Sequence, residues 1–246
     1  MKITDLKSAI IGNNICLRVK TDKGIDGYSQ VEENKDFINV NVPYFRDMIV
    51  GCDPTNVEDV MRRIRRLGAF KPWGKLVSSI EMALWDIAGK EAGVPVYKLL
   101  GGTDPVVHND ITIGIDTPEK MQAAAKRFVF EKGFRILKIK IGINPEDDLR
   151  ALTLIREAVG EDIRLRVDAN QGYNVETALE VLPAFEKLHI VAVEQCLSWW
   201  DFDGAAELMR KNTTSVKLML DESIHTPYDA QRASKLHCAD YYNIKL

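Results

Sequence analysis

Apolar and polar positions change rhythm about two fifths of the way along the chain. The first stretch opens with strand-like runs over Lys2–Ile11 and Ile15–Thr21, followed by a turn at Lys23-Gly24. Helical spacing then appears over Asn56–Leu67 and Val77–Ala92, the second with Ile80, Ala83, Leu84, Ile87 and Ala88 on one face. A short helix at Val96-Tyr97-Lys98-Leu99-Leu100 is stopped by Gly101-Gly102, since glycine takes positive φ at a helix C-terminus without a steric cost. No lysine or hydroxyl follows these glycines at the spacing of a phosphate-binding loop.

From His108 onward strands and helices alternate strictly. The strand candidates are Asn109–Ile115, Phe134–Ile141, Ile163–Asp168, Ile190–Glu194, Val216–Asp221 and Tyr241–Leu246, with amphipathic helices between them such as Pro145–Val159 and Val175–Lys187. Helices of that length between strands predict right-handed crossovers and a parallel sheet, either doubly wound or a (β/α)₈ barrel. No G-x-G-x-x-G follows the first strand, which weakens a dinucleotide-binding reading. A closed barrel needs eight strands, so ending within a sixth predicts a partial barrel with two further units unseen. The expected division is an N-terminal α+β domain over residues 1–105 and a partial barrel over residues 106–246.

The bulk properties narrow the partners. With 246 residues, 46% apolar and 28% charged, the chain has the composition of a soluble globular protein with a sizeable core. Its formal charge of −3 comes from mixed signs, which predicts no nucleic-acid partner and no anionic-membrane partner. The N-terminus has no long hydrophobic stretch, and the four cysteines are widely spaced without a C-x-x-C pair. A reduced compartment, the cytoplasm, is the expected location.

Strand side chains alternate between faces, and the outer face of a barrel must be apolar to pack on its helices. Leu137, Ile139 and Ile141 therefore point outward, which turns Lys138 and Lys140 inward. The same logic turns Arg164, Arg166 and Asp168 inward, then Lys217, Met219 and Asp221, then Tyr241, Asn243 and Lys245, while Glu194 ends the run Ile190–Glu194. Asp168, Glu194 and Asp221 recur 26 and 27 residues apart, one per strand–helix unit. Converging carboxylates repel unless a cation joins them, and oxygen ligands without His or Cys favour Mg²⁺ or Mn²⁺ over zinc. Lys140 and Lys245 would flank such an ion. Lys138 beside Lys140, with the cation near, would penalise the ammonium form and make an amine available as a base. Each residue also has an ordinary reading: Lys-Ile-Lys as a solvated strand face, Asp168 as an Asx-turn before Asn170, and Asp221 as a cap for the segment beginning near Thr226.

Five segments in this order resemble the enolase superfamily, specifically its mandelate racemase/muconate lactonizing enzyme branch: Leu137-Lys138-Ile139-Lys140, Val167-Asp168-Ala169-Asn170-Gln171-Gly172, Val193-Glu194-Gln195, Leu220-Asp221-Glu222-Ser223 and Asn243-Ile244-Lys245. Ala83-Leu84-Trp85-Asp86-Ile87-Ala88-Gly89-Lys90 and Pro95-Val96-Tyr97-Lys98-Leu99-Leu100-Gly101-Gly102 are similar to that family's capping domain. The resemblance implies an α+β capping domain followed by a (β/α)₈ barrel, with Asp168, Glu194 and Asp221 as Mg²⁺ ligands. It makes Lys140 and Lys245 the paired acid and base, with Lys138 tuning Lys140. The implied chemistry is removal of a proton α to the carboxylate of a small molecule, through an enolate. A lysine at position 245 is similar to the muconate-lactonizing and dipeptide-epimerase subgroup, which implies a racemase or epimerase of an amino-acid derivative or dipeptide. The other readings are a dehydratase or cycloisomerase on the same scaffold, and a barrel without catalysis. A homo-oligomer is a further family expectation. His225 is read as a loop residue or one lying just outside the site.

Departures from the family pattern are Cys196 after Glu-Gln in place of proline, Tyr28-Ser29-Gln30 in place of a Gly-Trp-Gly-Glu-like segment, and a short connection from Ile11 to Ile15. Many members carry a long loop at that connection, whereas a short one is similar to several of the family's acid-sugar dehydratases.

Overall fold

The computed structural model describes residues 1–12, 14–31, 35–66 and 74–245, and the chain divides into two compact units, Met1–Val107 and His108–Lys245. In the first unit, β1 (Ile3–Ile11), β2 (Asn14–Thr21) and β3 (Gly27–Val31) form an antiparallel sheet in that order. Along β2, Ile15, Leu17, Val19 and Thr21 are buried and alternate with more exposed residues, the period-two pattern of a strand covered on one face. Helices α1 (Lys35–Ile49), α2 (Val57–Arg65), α3 (Gly74–Ala92) and α4 (Val96–Leu99) follow, and Phe45, Ile64, Ile80 and Leu84 join Leu17 and Val19 in one core. A Cβ on Gly27 would lie 2.0 Å from the Ala83 carbonyl oxygen, so only glycine lets β3 lie this close to α3.

Two of these elements have no counterpart in the sequence reading: β3, and α1 with Pro43 inside it. The helix over Asn56–Leu67 is present as α2 with Asn56 as its cap, accepting from the Asp59 amide; Leu67 lies outside the described residues. Ile11 and Asn14 pair directly across the β1–β2 connection, whose Asn13 is also outside the described residues.

The second unit is a six-stranded parallel sheet of β4 (Ile111–Ile113), β5 (Ile136–Lys140), β6 (Arg164–Asp168), β7 (Ile190–Glu194), β8 (Lys217–Leu220) and β9 (Tyr241–Tyr242). Between them run α5 (Pro118–Lys126, continued by a π-helical turn over Arg127–Glu131), α6 (Pro145–Val159), α7 (Val175–Lys187), α8 (Phe202–Lys211) and α9 (Pro227–Leu236). Spatial order equals chain order throughout, without the reversal that a doubly wound sheet requires. This is the order of a (β/α) barrel, here with six strands and not closed. The outward positions Leu137, Ile139, Leu165, Val167, Val193 and Leu218 are buried with Ile155, Leu182 and Phe185 of the helices. The last run is shorter than its sequence suggests: the ladder covers Tyr241–Tyr242, and Leu246 is outside the described residues.

Both ends of the sheet are tied by specific contacts. At the strands' N-terminal end, the buried Arg156 guanidinium donates to the carbonyls of Gly160, Ile163, Leu188 and His189. At the C-terminal end, the turns after β5 and β6 interlock: a Cβ on Gly172 would fall 1.9 Å from the Gly142 oxygen, and one on Gly142, at φ +105°, would fall 2.2 Å from the Ala169 oxygen. These contacts are to backbone and cannot be relieved by a rotamer change. Gly172→Ala is therefore expected to destabilise the protein by about 1–3 kcal/mol. Urea unfolding checks it, and an unchanged midpoint would show that the turns are free to separate.

Candidate active site

The parallel register sets most of the site before any side chain is placed. Lys140 pairs with Asp168, Asp168 with Glu194, and Glu194 with Met219, so one layer across the sheet carries a cation and two anions in succession. Lys138 and Arg166 form the layer below. Asp221 follows Met219 by two residues, about 6.6 Å further along the strand direction, just beyond the end of β8. Its neighbour across the next strand is Asn243, whose amide nitrogen donates to the Leu220 carbonyl at 2.7 Å.

Asp168, Glu194 and Asp221 are 0%, 1% and 4% exposed. Such burial is tolerable only where charge is answered. Lys138 Nζ lies 2.8 Å from both Asp168 Oδ2 and Glu194 Oε2. Lys140 Nζ donates to Asp168 Oδ2 at 2.7 Å and to Asn170 Oδ1 at 2.5 Å. Lys245 Nζ donates to Asp221 Oδ2 at 2.6 Å, and Asn243 Nδ2 to Asp221 Oδ1 at 3.1 Å. Arg166 pairs with Asp110, and its second nitrogen is 3.8 Å from Glu194 Oε2. Glu194 Oε1 is buried without a hydrogen-bond partner among the described residues.

Protonation follows from these contacts. Burial works against the charged form of Asp168, but hydrogen bonds from Lys138, Lys140 and the Asn170 amide outweigh it and hold the carboxyl below its ordinary range. For Glu194, burial and the neighbouring Asp168 charge outweigh Lys138, and its pKa stands above the ordinary value. Burial pushes Lys138 toward neutrality, yet its bonds to Asp168 and Glu194 raise its pKa overall. Lys245 is likewise raised, with Asp221 overcoming burial. At Lys138 the two carboxylates together therefore outweigh burial.

The donor set fits a hard divalent cation in its chemistry: three buried carboxylates at one end of neighbouring strands, and an anionic oxygen without a hydrogen-bond partner. Of the other five oxygens, three carry ammonium groups and two, Asp168 Oδ1 and Asp221 Oδ1, accept from amide N–H donors. As arranged, no three His, Cys, Asp or Glu side chains among the described residues converge on one point suited to a metal ion. Ammonium groups stand on Asp168 Oδ2, Glu194 Oε2 and Asp221 Oδ2, so an ion bound through any of these oxygens would displace a lysine.

The ordinary readings divide. Lys138 is not on a solvated face, being half-buried between two carboxylates. Asp168 does make the Asx-turn bond, accepting from the Asn170 amide at 2.9 Å through Oδ1, while Oδ2 serves the lysines. Asp221 caps no helix: α9 is capped by Thr226, in a capping box with Asp229. His225 is exposed, with its amide on Asp229 and its ring edge-on to Trp199 at 5.5 Å. Residues that the sequence reading did not single out are Asp110, beside Arg166, and Gln195, buried between the loops after β7 and β8. Gln195 carried one usable signal, a polar side chain directly after an inward carboxylate.

Comparison with known proteins agrees with this architecture. The family profile described as "Enolase C-terminal domain-like" matches residues 120–246, and that of the "Mandelate racemase / muconate lactonizing enzyme, N-terminal domain" matches residues 7–101. The hydrophobic dipeptide epimerase of Enterococcus faecalis is 35% identical over 94% of this chain and 66% of its own length. The L-Ala-D/L-Glu epimerase of Clostridium acetobutylicum is 32% identical over 99% of this chain and 69% of its own length, so the chain spans about two thirds of these relatives. A crystal structure of the dipeptide epimerase from Enterococcus faecalis V583, complexed with Mg and the dipeptide L-Leu-L-Tyr, matches with a TM-score of 0.91 at 31% identity, covering 100% of this chain and 75% of that one. By sequence and fold alike, this chain belongs to the mandelate racemase/muconate lactonizing enzyme family of the enolase superfamily, in its dipeptide-epimerase-like subgroup.

Proposed function

We propose that the protein is an epimerase of dipeptides or related amino-acid derivatives, acting by removal and return of the proton α to a carboxylate through an enolate. The supporting observation is the placement of two amines, Lys140 on β5 and Lys245 after β9, on the two sides of the buried Asp168–Glu194–Asp221 set. A racemising enzyme needs a base on each face of the α-carbon, and two lysines on separate strands supply that pair. Asp168, Glu194 and Asp221 would hold a Mg²⁺ ion, which supplies electrostatic stabilisation of the charge that develops on the substrate carboxylate. Mn²⁺ suits the same donors. Lys140 takes the proton on one side and Lys245 returns one on the other, while Lys138, bridging Asp168 and Glu194, fixes the carboxylates at the base of the site. Residues 1–105 act as the capping domain and residues 106–246 as the catalytic domain in this reading.

Among the described residues no helix is long and apolar enough to cross a membrane. Cys16, Cys52, Cys196 and Cys238 are all free thiols, which supports a reduced, cytoplasmic setting.

Incubation with L-Leu-L-Tyr and Mg²⁺ in D₂O tests the reaction class by NMR. The expected result is deuterium at an α-carbon together with an epimer, and no loss of water. Release of a 2-keto acid or an alkene from a hydroxy acid, with no α-exchange in any dipeptide, would replace this reading with a lyase.

A further inference from the structure

We infer that Gln195 is a positioning residue that sets where the Glu194 and Asp221 carboxylates stand relative to one another. The inference rests on the proposal above that these carboxylates share a divalent ion. Gln195 is the first residue after β7, is 1% exposed, and has φ +39°, a left-handed conformation that a non-glycine residue holds only when its surroundings over-determine it. Those surroundings are hydrogen bonds. Its amide donates to the Met219 carbonyl at 2.8 Å, and its carbonyl accepts from Gln171 at 2.8 Å.

The side chain does more. Oε1 accepts from the backbone amides of Asp221 at 2.8 Å and Ser223 at 3.2 Å, while Nε2 donates to the Leu197 carbonyl at 2.9 Å and to Ser223 Oγ at 2.8 Å. Two acceptor sites and two donor hydrogens are the whole capacity of a carboxamide, and all are used. One residue thus joins the turns after β6, β7 and β8.

Its position explains why the site needs it. The β8 ladder ends at Leu220, so no strand carbonyl receives the Asp221 amide. The Gln195 side chain takes that place, and the residue that supplies it is covalently next to Glu194. The distance from Glu194 to Asp221 is therefore fixed through one side chain, rather than through two independent strand ends. A glutamine that merely filled space in the core would have no reason to bond the backbone of the very residue that carries the third carboxylate.

Equilibrium binding of Mn²⁺, followed by electron paramagnetic resonance, tests this with Gln195→Leu and Ser223→Ala beside the wild type. Gln195→Leu, with native circular dichroism, is expected to bind Mn²⁺ at least about tenfold more weakly. Its turnover should recover in part when Mn²⁺ is raised to saturation. Ser223→Ala, which removes one of the four side-chain bonds, is expected to weaken binding about threefold. A folded Gln195→Leu protein that binds Mn²⁺ as the wild type does would overturn the inference and leave the metal site standing. Should that variant not fold, unchanged affinity in Ser223→Ala overturns it equally. A wild type that binds no Mn²⁺ would instead remove the metal-site reading itself, and this inference with it.

Discussion

Alanine at Lys140 or at Lys245 is expected to lower epimerisation by on the order of 10²–10⁴-fold while leaving divalent-ion affinity no weaker than wild type, since each lysine holds a carboxylate oxygen that the ion would take. Neither lysine is a ligand in the proposed site, and Lys245 is the more exposed of the two, with 66% of its side-chain surface accessible against 27% for Lys140. The two variants should also differ from each other. Each keeps one amine, and that amine can still exchange the α-proton it faces. The Lys140→Ala protein should therefore wash deuterium into one epimer, and the Lys245→Ala protein into the other. NMR of each separate dipeptide epimer in D₂O reads this directly. An unchanged kcat in either variant removes that lysine from the mechanism; identical exchange patterns in both would remove the opposed arrangement.

Lys138 and Lys140 were legible in the sequence because a barrel strand sorts its side chains by parity. With Leu137 and Ile139 committed to the helices, Lys138 and Lys140 have only the interior left, and the structure places both against buried carboxylates. The helices Pro145–Val159 and Val175–Lys187 were legible to the residue, since Asn144 and Asn174 cap them and each carries a regular apolar stripe. Helix α1 was not. Its stripe of Ile38, Val42, Phe45 and Ile49 has helical spacing, but Pro43 and the β-branched residues argue locally against a helix, and tertiary packing overrides them. β3 is short and begins with Gly27, whose value lies in its approach to Ala83, a contact invisible in a one-dimensional pattern.

Periodicity alone left a doubly wound sheet and a barrel open, because strand order is a property of packing; the resemblance to the enolase superfamily implied the barrel, and the strand order agrees with it. Within the site, residue types and faces were readable but the pairing of individual atoms was not. Nothing in the spacing of Lys138, Lys140 and Lys245 tells which carboxylate oxygen each will hold. Gln195 looked like one more polar residue at a strand end until its four side-chain bonds were placed.

The second large effect concerns Glu194. It lies centrally among the three carboxylates, paired in register with Asp168, and of those three it alone has a buried oxygen without a hydrogen-bond partner among the described residues. A divalent ion would meet an oxygen there that no competing donor holds, whereas at Asp168 and Asp221 it must displace an ammonium group. Glu194→Gln keeps the shape and removes the charge. Loss of a second-sphere partner costs roughly 10–100-fold in metal affinity, so loss of a ligand should cost more than about 100-fold. Turnover should fall with it. The decisive measurement is a Mn²⁺ titration of wild type and Glu194→Gln by electron paramagnetic resonance, with Mg²⁺ as competitor. The arrangement predicts one Mn²⁺ per wild-type chain, displaced by Mg²⁺, and no specific binding in the variant at the same concentrations. Equal binding by both proteins, or none by the wild type, would contradict it.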